Sequence, residues 1–277
     1  MMHRVRNRLS RWLPPALVDC LARRKRVYGY FGDYSCWEDA RRASGGYDSG
    51  HILEKVCASL LKVKQGVAVY ERDSVLFDEV QHAWPLLAGL LWIASREDHR
   101  LNLLDFGGSL GSSYYQCRAF LQHLPQLRWS IVEQEAFVRR GRELFEDEVL
   151  RFYYSLDECI CDRNPDVVLL SSVLPYLESP HRTVSDILSR APSYVVVDRT
   201  PFIEGRGDRL TVQVVPQEIY GGSYPAWMLG EDPFLELFSE AYEVIARFDA
   251  LGGEIDLGDE VARFKGFLFA KRGSSRG

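Results

Sequence analysis

Hydrophobic positions follow two different patterns along the chain, and the change falls near residue 101. Before it, apolar residues recur at helical spacing, as they do over residues 49–61. SCWE at 35–38 has the spacing of a capping box and predicts another helix. Residues 75–97 predict a long helix that bends at Pro85. We therefore expect the first hundred residues to be helical.

After residue 101, short apolar runs alternate with helical stretches. The predicted strands are 101–106, 128–133, 165–172 and 193–198, and the predicted helices between them are 112–123, 136–147 and 180–190. Continuous apolar strands that alternate with helices predict a parallel sheet covered on both faces. Two further strand-like runs, 242–250 and 264–272, flank a glycine-rich turn and predict an antiparallel hairpin at the sheet edge.

These patterns predict an α/β fold with three parts. A basic segment occupies residues 1–30, a helical cap follows over 31–100, and a domain with a Rossmann-like sheet occupies 101–277. The basic segment carries eight Lys and Arg residues against one Asp, although the whole chain has a net charge of −5. It suits peripheral contact with an anionic membrane or a protein, or it is a solvated tail.

Charge and cysteine usage exclude several classes of function. The acidic remainder of the chain argues against nucleic acid as a partner. The six cysteines form no C-x-x-C pair and show no metal-ligand spacing, so we expect no metal site and reduced core thiols in a cytoplasmic protein. The longest apolar run, 83–94, is too short to span a membrane. The residues carry no indication of oligomeric state.

The stretch LNLLDFGGSLGSSYY at 101–115 places a glycine loop after the first predicted parallel strand. Ligands of open parallel sheets bind at such strand ends. The loop fits neither G-x-x-x-x-G-K-[ST] nor G-x-G-x-x-G, and Asp105 stands where it would repel a pyrophosphate. A carboxylate at the loop entrance suits a cationic ligand. S-adenosylmethionine (SAM) has an ammonium group, a sulfonium group and no phosphate.

The pattern D-x-G-x-S-x-G over 105–111 resembles the first motif of class I SAM-dependent methyltransferases, with Ser109 in place of the middle glycine. The blocks YFGDYSCWEDA, SGGYDSGHILEKV, LLSSVLPYLESP and SYPAW resemble a family of bacterial methyltransferases associated with surface-polysaccharide or secondary-metabolite gene clusters. Cys117 stands where we expect Asn in this family. The resemblance implies the Rossmann-like class I methyltransferase sheet with SAM as cofactor. It names no acceptor.

Positions at predicted strand ends, together with the resemblance, give the expected cofactor site. Its residues are Asp105, Gly107, Gly108, Gly111, Glu133, Gln134, Leu156, Asp157 and Ser171. Glu133 ends the second strand, where a carboxylate accepts bonds from both ribose hydroxyls. Gln134 is expected at the ribose or adenine, and Leu156 with Asp157 around the adenine. Ser171 either binds the ligand or caps the following helix.

The expected catalytic residues are Tyr176, Asp198, Ser172 and His51. An aromatic face near the reacting carbon favours the sulfonium cation, so Tyr176 either faces the ligand or packs in the core. Asp198 either acts on an acceptor hydroxyl or pairs with Arg199, which is itself suited to a carboxylate. His51 adjoins the SGGYDSG segment, a candidate lid. The stretch 219–227 shapes an acceptor pocket or is a surface loop.

Three functions fit these residues. The first is methylation of a hydroxyl, amine or carboxylate on a small molecule or sugar. The second is SAM cyclisation, in which the α-amine attacks the γ-carbon and releases methylthioadenosine with azetidine-2-carboxylate; a closed pocket favours it. The third is a non-catalytic SAM-binding module, against which the intact loop and Glu133 argue.

Overall fold

The computed structural model of the protein describes residues 28–46, 49–68, 70–72, 75–77, 82–205, 207–216, 219 and 221–273. The basic segment predicted over 1–30 therefore lies almost wholly outside the described residues. The helices are α1 (Trp37–Ala43), α2 (Ser49–Lys64), α3 (Trp84–Arg96), α4 (Ser112–Leu121), α5 (Glu135–Leu144), α6 (Leu156–Arg163), α7 (Pro180–Leu188) and α8 (Glu231–Glu236), with a 3₁₀ turn at Leu174–Tyr176. None of these described helices is long and apolar enough to cross a bilayer.

The described strands form one large sheet and one small hairpin. They are β1 (Gly29–Tyr34), β2 (Tyr70–Arg72), β3 (Val75–Phe77), β4 (Arg100–Phe106), β5 (Gln126–Val132), β6 (Leu150–Tyr153), β7 (Val167–Ser171), β8 (Tyr194–Ile203), β9 (Arg209–Val215), β10 (Gly222–Gly230), β11 (Tyr242–Asp256) and β12 (Val261–Lys271). The large sheet has the order β1-β9-β10-β8-β7-β4-β5-β6, and β12 pairs with both β8 and β11. β2 and β3 pair with each other.

The centre of the sheet is parallel and its carboxyl-terminal part is antiparallel. β4 through β8 pair in parallel, whereas β12 runs antiparallel to β8 and β11. Successive residues of a strand point to opposite faces. Leu103 accordingly belongs to the core under α2–α5, and Leu104 to the core under α6–α8. The predicted mixed α/β fold with a terminal antiparallel hairpin is confirmed.

The prediction that the first hundred residues are helical is wrong at three places, where the structure has strands. β1 pairs antiparallel with β9, and β2 and β3 occupy 70–72 and 75–77. The long helix predicted over 75–97 begins only at Trp84, with Pro85 in its first turn. Proline is suited to that position because the amide there needs no helical partner, so Pro85 starts the helix instead of bending it.

Two local expectations are also corrected. The first helix of the described chain exists, but its N-cap is Cys36, which makes no capping bond, and the Ser35 hydroxyl bonds to Asp39 instead. The prediction of core thiols holds for Cys57, Cys117 and Cys159, which are buried and free, whereas Cys36 and Cys161 are exposed and Cys20 lies outside the described residues.

β1, β9 and β10 extend the sheet beside β8. β10 pairs antiparallel with β9 along seven positions and parallel with β8 at Leu229 and Gly230. Helix α1 covers this extension through a small core of Ala40, Leu210 and Val212. Most of the stretch 219–227 is therefore strand, and the extension lies next to the carboxyl end of the parallel sheet.

Candidate functional site

A cavity of about 510 Å³ opens at the carboxyl ends of β4 and β7 and beside Arg199 of β8, which follows the last residue paired with β7. We call it the loop cavity; its described lining is Gly29, Tyr30, Val56, Gly107–Ser109, Ser112, Ser113, Gln116, Ser171, Ser172, Tyr176, Arg199, Gln213–Pro216, Ile219, Tyr224, Leu251, Gly252 and Phe264. Open α/β sheets bind ligands at this edge. The volume lies in the range of small-molecule sites, roughly 300–1,000 Å³.

The glycine loop forms one wall of the loop cavity. Neighbouring side chains leave no room for a Cβ at two of its glycines. Gly107 has φ +69°, and a Cβ at this position would overlap Val173 Cγ2. A Cβ on Gly108 would stand 2.5 Å from the carboxyl carbon of Asp105. The Gly107 amide donates to the Val132 carbonyl at 2.9 Å, which holds the loop against β5. Backbone atoms are therefore exposed to a ligand at both glycines.

Gly111 ends the glycine loop and does not face the cavity. Its φ is +103°, in the region that favours glycine, and it is the residue before α4. Its amide donates to the Gly108 carbonyl at 3.0 Å. Gly111 is buried and does not line the loop cavity. It closes the loop and starts the helix.

Three non-glycine residues with positive φ meet in the loop cavity. They are Ser109 at 54°, Ser172 at 59° and Arg199 at 46°, one after each of β4 and β7 and one within β8. The left-handed conformation costs a non-glycine residue roughly 1–2 kcal/mol. Such strained residues cluster at functional sites. Three converging instances therefore single out this cavity.

Ser171, Asp198 and Arg199 form a polar network at the base of the cavity. The Ser171 hydroxyl donates to Asp198 Oδ2 at 2.8 Å. Arg199 Nε lies 3.4 Å from Ser171 Oγ and 3.6 Å from Asp198 Oδ2. Burial raises the pKa of Asp198, and the nearby guanidinium opposes that rise. Asp198 is 2% exposed and absent from the lining, so it supports Ser171 and Arg199 from behind.

Asp105 is fully buried beneath the loop instead of facing the cavity. Trp129 Nε1 donates to its Oδ2 at 3.2 Å, and its Oδ1 accepts no hydrogen bond from the described residues. Burial raises the pKa of Asp105 to about 7. Its carboxyl occupies the space that a Gly108 side chain would need. The structure thus does not bring Asp105 to the position of the predicted contact with a cationic ligand.

The predicted ribose residues are engaged with the protein's own backbone. Glu133 Oε2 accepts from the Gln134 amide at 2.5 Å, and the Ser109 amide also bonds to Glu133. Burial raises the pKa of Glu133, and these two amides oppose the rise. Gln134 is the exposed N-cap residue of α5. Neither residue lines the loop cavity.

The predicted adenine residues lie at the start of α6. Leu156 is half-buried and packs against the core under α6–α8. Asp157 is exposed and accepts from Arg190 Nη2 at 2.8 Å. Ser155 is the N-cap residue, and its hydroxyl accepts from the Glu158 amide. The structure does not join this region to the loop cavity.

Tyr176 and Ser172, two of the predicted catalytic residues, do line the cavity. Tyr176 Oη donates to Gln213 Oε1 at 3.0 Å, and its ring meets Tyr224 edge-on at a centroid distance of 5.4 Å. His51 lies in α2, but its side chain is outside the described residues. Sequence reasoning missed Tyr30 and Gln213; the aromatic stretch 219–227 was the available signal for this wall.

A search of protein-family models and a search of curated protein sequences gave no match. Solved structures resemble the chain distantly. The N-terminal domain of EvdMO1 with S-adenosylhomocysteine (SAH) bound is 15% identical to this chain. The match has a TM-score of 0.44 and covers 67% of this chain and 81% of that one. The 1,6-didemethyltoxoflavin-N1-methyltransferase of Burkholderia thailandensis is 12% identical at a TM-score of 0.42, over 82% and 91%. CalS10, an amino pentose methyltransferase from Micromonospora echinaspora, is 14% identical at 0.44, over 69% and 92%.

Proposed function

We propose that the protein is a SAM-dependent methyltransferase that acts on a hydroxyl, amine or carboxylate of a small-molecule or sugar acceptor. The observation that carries the proposal is the loop cavity. A glycine loop and three strained backbone positions converge there, at the carboxyl ends of β4 and β7 and at Arg199 of β8. Protein folds store strain of this kind where a ligand is bound.

The lining suits SAM on its methionine side. Gly107 and Gly108 let the backbone approach a ligand, and a Cβ at either position would instead run into Val173 or Asp105. Tyr176 and Tyr224 present aromatic faces and edges, and an aromatic face attracts a sulfonium cation. SAM would supply an activated methyl group, and the chain would supply position and a shielded cavity.

On the ribose side, Glu133 is the candidate. Its carboxylate would exchange the Gln134 amide for ribose hydroxyls by rotation of the side chain. Side-chain rotations of this size are common on ligand binding. The Ser109 amide, which also bonds to Glu133, links this rotation to the glycine loop.

The acceptor would occupy the wall contributed by the sheet extension. Tyr30, Gln213 and Tyr224 lie there and line the same cavity as the glycine loop. Among the lining residues that the structure describes, none is His, Asp or Glu. A base is required only when the acceptor loses its proton in the transition state. This lining favours acceptors that attack as a carboxylate or a neutral amine.

The test begins with purified protein and SAM alone, followed by mass spectrometry of the products. Methyl transfer predicts intact SAM without acceptor and SAH once a methylatable carboxylate, amine or sugar from a pooled set is added. Methylthioadenosine with azetidine-2-carboxylate would replace methyl transfer by cyclisation. Bound SAM with no turnover across the pool would support the non-catalytic module. Gly107→Ala, whose Cβ would overlap Val173 and distort the loop, is the negative control once its melting curve shows that it is folded.

A further inference from the structure

Of the described residues that line the loop cavity, Arg199 is the one with a charged side chain. The other polar lining groups are hydroxyls, amides and backbone atoms. Its side chain is 13% exposed, so most of it is withdrawn from water. A charge in such a place interacts more strongly with a ligand than a charge on the surface does. The chemistry of this side chain therefore bears on what the cavity accepts.

Arg199 is held at the cavity wall by two bonds: its Nε donates to the Ser171 hydroxyl at 3.4 Å, and its backbone amide donates to the Asp198 carboxylate. The distance of 3.6 Å from Nε to Asp198 Oδ2 is an ion pair, longer than the usual 2.7–3.2 Å of an N–H···O hydrogen bond. Asp198 Oδ2 takes its hydrogen bond from the Ser171 hydroxyl instead. The backbone of Arg199 is itself in the left-handed region, at φ 46°. Conformation and network together fix the direction in which this side chain leaves β8.

We propose that Arg199 binds a carboxylate group of a ligand in the loop cavity. A guanidinium presents a planar fork that matches the two oxygens of a carboxylate, and such charge-assisted pairs are the stronger hydrogen bonds of proteins. Tyr176 Oη and Gln213, which already bond to each other, lie in the same lining and supply further polar contacts.

The carboxylate has two sources, and both rest on the proposed function. One is the methionine portion of SAM, and the other is an acid group on the acceptor. The two are separated by ligands that differ in that group alone. SAH has the carboxylate and decarboxylated SAH lacks it. Benzoate and benzamide form an equivalent pair for an acceptor of aromatic shape.

The first arm measures the affinity of SAH and decarboxylated SAH by calorimetry for the unchanged protein, Arg199→Gln and Arg199→Lys. If Arg199 holds the cofactor carboxylate, Arg199→Gln binds SAH about 10- to 100-fold more weakly and no longer distinguishes the two ligands. Arg199→Lys keeps the charge but not the planar guanidinium, so we expect it to lose less SAH affinity than Arg199→Gln. Arg263→Gln is the matched control, because Arg263 is 46% exposed and pairs with Glu254 outside the lining.

The second arm adds benzoate or benzamide to the SAH-saturated protein and detects binding by ligand-observed NMR. If Arg199 holds an acceptor carboxylate, benzoate binds to the unchanged protein and to Arg263→Gln but not to Arg199→Gln, and benzamide binds to none of them. Thermal melting curves confirm that each variant is folded.

Either pattern supports the carboxylate site and identifies its source. Equal SAH affinity in Arg199→Gln, with no benzoate binding that depends on Arg199, overturns it. If the unchanged protein does not bind SAH, the proposed function fails while the benzoate arm, run without SAH, still tests Arg199. Failure of the two proposals is thus distinguishable.

Discussion

The two halves of the carboxyl edge of the sheet are built differently. At β4, β7 and β8 the chain turns through strained backbone positions and leaves a cavity of about 510 Å³. At β5 and β6 the polar groups bind within the chain, and none of them lines that cavity. We call this second region the nucleoside side; its members are Glu133, Gln134, Leu156 and Asp157. One half presents a cavity, and the other presents side chains that are exposed or bonded within the chain.

This difference has an energetic consequence. A ligand in the loop cavity displaces solvent, whereas a ligand on the nucleoside side replaces hydrogen bonds such as that from the Gln134 amide to Glu133. A hydrogen bond contributes on the order of 1 kcal/mol net, so an exchange of one for another yields little. We expect changes at the loop to have larger effects than changes on the nucleoside side.

The largest effect is expected for Gly107→Ala. The new Cβ would overlap Val173 Cγ2, and the residue would remain at φ +69°. Overpacking and left-handed strain each cost on the order of 1–3 kcal/mol, so we expect a loss of about 4 kcal/mol in the free energy of unfolding. Denaturant unfolding measures it, and calorimetry should detect no SAH binding.

Gly253→Ala separates the two costs. Gly253 has φ +71°, but its Cβ would meet nothing within 4 Å. It should therefore lose only the conformational part of the free energy of unfolding, about 1–2 kcal/mol, and keep its affinity for SAH. Equal losses at the two glycines would mean that the contact with Val173 does not constrain the loop.

A second prediction concerns the buried carboxyl of Asp105. Because burial raises its pKa to about 7, from an ordinary value of 3.8, the protonated form favours the folded state. That contribution is complete below the unfolded pKa and is lost as the pH rises toward 7. A tenfold change in proton affinity corresponds to about 1.4 kcal/mol, so the free energy of unfolding should fall by about 3 kcal/mol between pH 5 and pH 8 through this group.

Asp105→Asn should remove that fall, because the amide keeps the shape and does not titrate. Urea unfolding at several pH values gives the difference between the two proteins. Asp98→Asn is the control, since that side chain is 86% exposed and its removal should leave the pH profile unchanged. A profile of Asp105→Asn parallel to that of the unchanged protein would assign the pH dependence to other acids whose pKa is raised by burial, such as Glu133 and Asp198.

The sequence was sufficient for the parallel part of the fold. Apolar runs such as VVLLS at Val167–Ser171 are buried on both faces, and only a covered parallel strand accounts for them. It was not sufficient for β1, whose partners on β9 lie about 180 residues away, as at Gly29 and Val214. No local pattern specifies a pairing over that distance, and a six-residue strand is easily assigned to a neighbouring helix.

The sequence predicted where along the chain the cavity-lining residues lie, but not which way each side chain points. The motif located the loop, and Gly107, Gly108, Ser171, Ser172 and Tyr176 all line the cavity. Asp105 shows what a motif leaves open. Asp105 was predicted to face a cationic ligand, yet its side chain lies under the loop, where it bonds to Trp129 and fills the space beside Gly108. Both contacts depend on the assembled sheet.

Glu133→Gln tests whether the nucleoside side joins the site when ligand is present. A neutral amide accepts ribose hydroxyls less well than a carboxylate, so we expect SAH to bind about 10-fold more weakly at pH 8. Burial raises the pKa of Glu133, so the affinity of the unchanged protein should fall as the pH is lowered through that pKa. The affinity of the variant should not follow it. Calorimetry across the pH range gives both curves.

Glu135→Gln is the matched control for that measurement. Glu135 stands two residues away on α5, is 73% exposed and pairs with Arg139. It should bind SAH as the unchanged protein does. Equal affinities for all three proteins would show that Glu133 remains bonded to the Gln134 amide when the ligand is present.

The smallest effect is expected for Asp157→Asn. Asp157 is 78% exposed, and its pair with Arg190 is a surface ion pair, so the free energy of unfolding should change by less than about 1 kcal/mol. We expect SAH affinity to change less than about threefold, because a solvated side chain would add little to binding even if the adenine lay beside it as proposed. Arg190→Gln removes the same pair from its other end together with the bond from Arg190 Nη1 to the Asp186 carbonyl, so its loss of stability should be at least as large. A tenfold loss of affinity in Asp157→Asn alone would mean that the nucleoside side binds ligand as directly as the loop cavity.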